Sequence, residues 1–201
     1  RTTTIAQAVV GSNPATAYGS GTMTVASVVI TVVDNDTAGV TVNPTTLNVA
    51  EPGTSLTYTL TLNSQPIAGE IVTLNLSGYS GADITVISIT LTFDENNWNV
   101  PQTVTVTAID NLVADGNRTT TITNGVTTNA ATPYAAVIAA SVTVNVADND
   151  TPGVVINPTN PGVIEGGAAQ TYTAVLLSQP TTGEIVTVTM SCYNGADIAV
   201  A

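Results

Sequence analysis

The sequence predicts an all-β protein, and three observations lead to this prediction. Apolar and polar residues alternate with a period of two, as at Val104, Val106 and Ala108, which is the pattern of half-buried strands. Threonine, valine and isoleucine are abundant, and glycine, proline, asparagine and aspartate interrupt every run. The 3.6-residue apolar spacing of an amphipathic helix is missing, so strands and turns are expected throughout.

Seven runs between residues 37 and 150 fit strands. They cover residues 39–50, 55–63, 70–77, 84–93, 101–109, 118–124 and 137–147. The first is expected to break near Pro44, and the fourth to contain a bulge, because its inward parity changes between Val86 and Ile87. Residues 124–135 are expected to form a long loop. Seven short strands in a unit of this length predict an immunoglobulin-like β-sandwich.

The sandwich is expected to be repeated in tandem, because the sequence matches itself at an offset of 114 residues (148 minus 34). Asp34 aligns with Asp148, and "GEIVT" at residue 69 aligns with the same letters at residue 183. A period this long is typical of a domain array rather than a solenoid. We predict that residues 37–150 are a complete repeat. Residues 1–36 are then the C-terminal part of a preceding repeat, and residues 151–201 the N-terminal part of a following one.

The composition argues against several functions. The 201 residues include 14 acidic and two basic ones, Arg1 and Arg118, with no histidine or lysine, for a formal net charge of −12. Nucleic-acid binding is not expected, because phosphates need cationic partners. Without histidine there is no Ser-His or Cys-His nucleophile pair, and an enzymatic role is not expected. No apolar run reaches the roughly 18–20 residues that span a bilayer, so no membrane insertion is expected in this segment.

The acidic residues are expected to gather at one end of the sandwich. If consecutive strands run alternately up and down, six carboxylates reach the same pole, and Glu70, Asp94 and Glu95 reach the opposite one. The six are Glu51, Asp83, Asp110, Asp115, Asp148 and Asp150. The aligned acids of the flanking repeats are Asp34, Asp36, Glu165 and Asp197.

Such a cluster needs a counter-charge, and Arg118 is its only basic sequence neighbour. One like-charged pair about 5 Å apart costs roughly 3 kcal/mol at an effective dielectric constant near 20. Calcium accepts six to eight oxygen ligands in loose geometry, which suits acids from several loops, whereas magnesium prefers to keep its waters. The alternative is that these acids are ordinary turn residues. A glycosidase-like carboxylate pair is disfavoured, because the pole recurs in the next repeat.

Several motifs resemble the Calx-beta domain, which occurs as tandem repeats in large secreted microbial surface proteins. They are "VAEPGTSLTYTLTL", "GADI", "TFDENNWNVPQTVTVTAIDNLVADG" and "VTVNVADND". The resemblance implies an immunoglobulin-like sandwich that binds Ca²⁺ at one pole through the six acids named above. Asn111 and Asn149 stand where the family has further acids, which implies one or two weakly bound ions.

The expected function is therefore structural: a calcium-rigidified repeat of an extracellular or cell-surface fibre, filament, stalk or adhesin, with ions at the head-to-tail joints between domains. The expected partners are neighbouring repeats of the same chain. A second form of this hypothesis is that the chain self-associates into filaments. The alternative is an adhesive module that recognises glycans or a cell surface through residues 124–135 or through its threonine-rich sheet faces. Aromatic residues make up only 4% of the chain, which leaves few platforms for stacking on sugars.

Overall fold

A computed structural model describes residues 2–8, 25–191, 194, 195, 198 and 200. The chain divides into two compact units, Arg1–Thr37 and Ala38–Ala201. The smaller unit contains a hairpin of β1 (Thr2–Ile5) and β2 (Val28–Thr31). The described residues contain no helical segment that could span a lipid bilayer.

The larger unit is built from strands and one short 3-10 helix, Pro133–Ala136, in the part of the chain described. The strands are β3 (Val40–Asn43), β4 (Thr46–Ala50), β5 (Ser55–Leu62), β6 (Val72–Ser77), β7 (Ile84–Ile87), β8 (Thr90–Phe93), β9 (Gln102–Ala108), β10 (Arg118–Thr128), β11 (Val142–Ala147), β12 (Val154–Asn157) and β13 (Thr173–Leu176).

Two sheets form an immunoglobulin-like β-sandwich, which confirms the predicted fold class. One sheet has the strand order β4-β11-β10-β6-β8, and the other has the order β3-β5-β9-β7. All pairs in these sheets are antiparallel except β4 with β11, which is parallel. This arrangement brings the ends of β4, β9 and β11, and the starts of β7 and β10, to one pole.

The predicted first strand divides between the two sheets. β3 pairs with β5, and β4 pairs with β11 after a break at Pro44. The break was expected, because proline has no N–H to donate to a β-ladder. Because of this break, the end of β4, which Glu51 follows, lies beside the end of β11, which Asp148 follows.

The prediction of a bulge in the fourth strand is wrong. The segment predicted as that strand forms two strands, which lie in different sheets. β7 pairs with β9, whereas β8 pairs with β6. The chain turns at Ser88, whose φ of 71° lies in the left-handed region that non-glycine residues rarely occupy. Ile84 is buried before this turn, and Leu91 and Phe93 are buried after it, whereas Ile87 is 63% exposed. The inward parity therefore changes at the transfer between sheets rather than at an extra residue between Val86 and Ile87.

The predicted long loop 124–135 is also mostly ordered. β10 continues to Thr128 by pairing with β6, and Pro133–Ala136 forms the 3-10 helix. Tyr134 is buried, and its hydroxyl donates to the carbonyl of Ser64 over 2.5 Å. The next strand then begins at Val142 rather than at the predicted residue 137. Little of this segment is left as a free loop.

The core lies between the inner faces of the two sheets. Alternate residues of each strand are buried, including Val104 and Val106 on one sheet and Val72 and Leu74 on the other. Burying an aliphatic side chain contributes about 1.5–3 kcal/mol. The predicted alternation therefore identifies the buried face of these strands.

The two terminal hairpins repeat the pairing register of the central sandwich. In the N-terminal hairpin Ile5 faces Val28. In the same way Ile122 faces Val142, where the letters "RTTTI" at residue 118 match those at residue 1 and align Ile122 with Ile5 at an offset of 117. In the C-terminal hairpin Val154 faces Leu176 in the same way that the aligned Val40 faces Leu62. The same sequence therefore gives the same local strand pairing in each repeat.

The terminal hairpins differ from the central sandwich in exposure. Val28 is 46% exposed, whereas the aligned Val142 is fully buried. Tyr172 is 43% exposed, whereas the aligned Tyr58 is 1% exposed. The same apolar faces that form a core in the central sandwich are thus open to solvent in both terminal segments.

Candidate metal centre

The sandwich topology brings the six predicted carboxylates to the same pole. Glu51 follows β4, Asp83 precedes β7, and Asp110 and Asp115 lie in the connection from β9 to β10. Asp148 and Asp150 follow β11, beyond its last residue Ala147. These acids come from positions far apart in sequence, and the parallel pairing of β4 with β11 brings Glu51 next to the segment that carries the last two.

Arg118, the first residue of β10, lies among these carboxylates. Its Nη2 is 2.5 Å from Glu51 Oε1, and its Nη1 is 2.8 Å from Asp115 Oδ2. Its Nε is 3.3 Å from Asp83 Oδ1, an ion-pair distance without hydrogen-bond alignment. Burial works against the charged guanidinium, but Asp115, Asp83 and Glu51 together raise the pKa of Arg118. The cluster therefore carries its own partial counter-charge. The sequence identifies Arg118 only as a neighbour of these acids and does not predict the three contacts.

Three acids form the group best suited to hold an ion. Glu51, Asp148 and Asp150 each offer a carboxylate oxygen, and these oxygens all lie within 4.8 Å of one another. The Glu51 side chain is fully buried, and its Oε2 has no hydrogen-bond partner. Asp150 Oδ2 is also buried without a partner. Because an unpaired buried carboxylate oxygen is costly, this arrangement fits a hard cation with oxygen ligands.

Asp148 is held in place by backbone groups. Its Oδ2 accepts a hydrogen bond from the N–H of Gly116 (2.6 Å), and its Oδ1 accepts one from the N–H of Asp150 (2.8 Å). Its own N–H donates to Asn117 Oδ1 over 3.0 Å. These bonds join the connection after β11 to the loop before β10, so the position of Asp148 is set by both.

The two aspartates that follow β11 have opposite pKa shifts. Backbone hydrogen bonds from Asp150 and Gly116 lower the pKa of Asp148, and the Arg118 charge adds to this effect. Desolvation raises the pKa of Asp150, and the nearby charges of Asp148, Asp110 and Asp115 raise it further. Asp150 thus resists ionisation in the folded chain, as expected for a carboxylate in need of a cation.

These shifts predict opposite effects of two substitutions on the calcium-free chain. A lowered pKa means that ionised Asp148 stabilises the fold above its unfolded-state pKa, so Asp148→Asn should lower the melting temperature at pH 7. A raised pKa means that ionised Asp150 opposes folding as the pH rises, so Asp150→Asn should raise it. Thermal unfolding in the presence of a chelator measures both. Shifts of the same sign in the two variants would contradict this picture.

The predicted acids of the flanking segments have different positions. Asp34 and Asp36 lie in the smaller unit, where the N–H of Asp36 donates to Asp34 Oδ1 over 3.1 Å. The aligned pair Asp148 and Asp150 makes the same local bond. Glu165 is exposed in a turn. Asp197 lies outside the described residues. The role of all the predicted acids as metal ligands stays a prediction.

Two asparagines near the pole make contacts that the sequence does not predict: Asn111 is expected there only as a replacement for an acid, and Asn117 is not among the predicted residues. Asn111 donates from Nδ2 to Glu51 Oε1 over 3.1 Å, and its Oδ1 accepts the N–H of Val113 over 2.7 Å. Asn117 accepts the N–H of Asp148. Their positions beside Asp110 and Arg118 in the sequence were the available signal. They fix the acids in place rather than only reducing the charge.

The acids predicted for the opposite pole are used in hydrogen bonds. Glu70 is 2% exposed and accepts hydrogen bonds from the hydroxyls of Thr128 and Thr132 and from the N–H of Ile67. Glu95 accepts the N–H of Gly69 over 2.9 Å. The hydrogen bonds of Glu70 at this opposite pole therefore hold the end of β10 and the segment after it in place.

The loop that carries Asp110 and Asp115 also contacts the segment beyond the sandwich. The N–H of Gln179 donates to the carbonyl of Leu112 over 2.6 Å, and Val113 pairs with Gln179 in a parallel bridge. Gln179 follows β13 by three residues. One loop thus contributes acids to the pole and a backbone hydrogen bond to the segment that follows the sandwich in sequence.

Comparisons with protein families, curated proteins and solved structures find only distant similarities. No family model matches the sequence, and no curated protein matches it. The apo form of the Calx CBD1 domain is 15% identical, with a TM-score of 0.40 over 57% of this chain and 100% of that one. PapD-like domain 7 of human CEP192 is 12% identical, with a TM-score of 0.41 over 64% and 98%.

A third structure, a cohesin–dockerin complex from Clostridium thermocellum, is 13% identical, with a TM-score of 0.38 over 59% of this chain and 99% of that one. Similarities at this level do not carry a function from these proteins to this chain. The immunoglobulin-like fold follows from the strand order of the chain itself.

Proposed function

We propose that this chain is a structural repeat of an extracellular fibre, filament, stalk or adhesin, in which calcium stiffens the head-to-tail joints between sandwich domains. Residues 37–150 form one repeat, and residues 1–36 and 151–201 belong to the neighbouring repeats. The neighbouring repeats of the same chain are then the first partners of each domain.

The observation that carries the proposal is the unpaired, fully buried Oε2 of Glu51 in a group of three carboxylates. All the ligands on offer are oxygens, which favours calcium or magnesium over softer metals. Calcium fits better, because acids from separate loops with variable distances suit its flexible coordination. The resemblance to the Calx-beta domain supports the same choice.

The placement of the acids supports a role at a joint. Asp148 and Asp150 lie in the short connection between β11 and β12, which begins at Val154. An ion held by these two residues and by Glu51 would tie that connection to the end of β4. The bond from Gln179 to Leu112 links the same pole to the following segment.

Calcium should therefore stabilise the full chain and narrow the range of angles between its parts. At a free calcium concentration ten times the dissociation constant, one site adds about 1.4 kcal/mol, or roughly 5 °C in melting temperature for a domain of this size. Thermal unfolding measures the first effect. Small-angle X-ray scattering with calcium and with a chelator measures the second.

Magnesium at the same concentration controls for ionic strength, and the Asp148→Asn/Asp150→Asn double variant should lose the calcium response. An unchanged melting temperature and an unchanged scattering profile on chelation would overturn the proposal. Size-exclusion chromatography of the same samples tests self-association through the exposed apolar faces of the terminal hairpins, which would appear as an increase in mass.

A further inference from the structure

Arg118 occupies one half of the acidic pole in the way that a bound cation would. Three carboxylates surround its guanidinium, with N–O distances of 2.5 Å to Glu51, 2.8 Å to Asp115 and 3.3 Å to Asp83. The Arg118 side chain is only 22% exposed, and that of Asp83 only 16%. The guanidinium is charged at all relevant pH values, so its positive charge is permanent.

Glu51 joins this half to the other half of the pole. Its Oε1 accepts hydrogen bonds from Arg118 Nη2 and from Asn111 Nδ2. Its Oε2 is buried without a partner, as is Asp150 Oδ2. Glu51 also offers an oxygen within 4.8 Å of those from Asp148 and Asp150. The pole thus has one half filled by a side-chain cation and one half with unpaired oxygens.

We propose that Arg118 sets the number of ions at this pole to one, by filling with its own charge the place that a second divalent cation would take. This inference rests on the proposed calcium binding. Asp83 and Asp115 serve as partners of Arg118 in this chain, and Asp148 and Asp150 serve as ligands. Glu51 contributes one oxygen to each half.

The physical reason is that a guanidinium and a calcium ion are both cations that bind carboxylate oxygens. Carboxylate oxygens from Glu51, Asp83 and Asp115 are the kind of ligand that calcium binds, and removing the guanidinium would leave all three acids without the cation that they share. A neutral residue at position 118 would then make a second ion favourable. Lysine would keep the charge and so keep the wild-type stoichiometry.

Equilibrium dialysis of the full chain with calcium alone tests this. The number of ions at the pole is the difference between each protein and the Asp148→Asn/Asp150→Asn variant, which corrects for ions bound elsewhere. We expect one ion at the pole in the wild type and in Arg118→Lys, and one additional ion in Arg118→Gln. Circular dichroism verifies that each variant keeps its strand content.

A second test uses the difference between the acids that pair with Arg118 and the acids that serve as calcium ligands. In the wild type, Asp83→Asn should leave the number of bound ions unchanged, because Asp83 is paired with Arg118. In the Arg118→Gln background, Asp83→Asn should remove the additional ion. Arg1→Gln is a control matched in net charge, because Arg1 is the only other basic residue, and it should bind as the wild type does.

The outcomes separate this inference from the proposed function. One ion in both the wild type and Arg118→Gln would overturn the inference and leave the proposed function standing. Two or more ions at the wild-type pole would also overturn the inference. No ion in the wild type but one in Arg118→Gln would overturn both the proposed function and the inferred count of one ion. No ion in either would overturn both.

Discussion

Tyr58→Ala should lower the free energy of unfolding by about 3–5 kcal/mol, because it removes an aromatic ring from the core. Tyr58 is 1% exposed, and its hydroxyl donates to Asn124 Oδ1 over 3.1 Å. The same change at the aligned Tyr172, which is 43% exposed, should alter the free energy by less than about 0.5 kcal/mol. The two tyrosines match in residue type and repeat position but differ in burial.

Urea unfolding followed by circular dichroism measures both variants against the wild type. A large loss in Tyr172→Ala would mean that residues 151–201 have a packed core in the full chain, contrary to their exposed apolar face. A small loss in Tyr58→Ala would contradict the central position of Tyr58 between the sheets.

Glu51→Ala should have the second-largest effect, since it changes both stability and calcium binding. It leaves Arg118 without one of its three carboxylates and Asn111 without an acceptor. Removing one partner of a fully buried ion pair costs about 3–5 kcal/mol. We expect about 2–3 kcal/mol, because Arg118 is partly exposed and keeps two other partners, so solvent screens part of the charge.

The same substitution removes a carboxylate that the proposed site would use, so calcium affinity should fall by at least about 10–100-fold, the loss typical of an outer-shell change. Glu165→Ala is the matched control, because Glu165 occupies the aligned position but is exposed. It should leave both the melting temperature and the affinity measured by isothermal titration calorimetry nearly unchanged. Equal losses in the two variants would contradict the assignment of the ion to the Glu51 pole.

The alternation of apolar residues was enough to predict the strands, because a side chain points to the opposite face at each step along a strand. It was not enough to assign strands to sheets. Residues 84–93 read as one strand, yet β7 and β8 lie in different sheets, with Ser88 at the transfer. Pairing partners depend on residues distant in sequence, and a local pattern contains no information about them.

The sequence likewise predicted the location of the candidate site but not the contacts within it. Counting strand directions was enough to place six acids at one pole, since antiparallel neighbours reverse direction at each turn. It did not predict that Arg118 points its guanidinium into three of them or that Asn111 binds Glu51. Those contacts depend on the rotamers and on the loop path between Asp110 and Arg118, which packing decides.

The sequence by itself determined the all-β class, the alternating core positions, the 114-residue repeat and the end of the sandwich where the acids gather. These features follow from local periodicity and from the reversal of the chain at each turn. Only the tertiary structure decided which carboxylates are paired with Arg118 and which keep an unpaired oxygen. The physical reason is that an ion pair depends on distances of a few ångströms between groups as far apart in sequence as Glu51 and Arg118, and only the packed sandwich sets those distances.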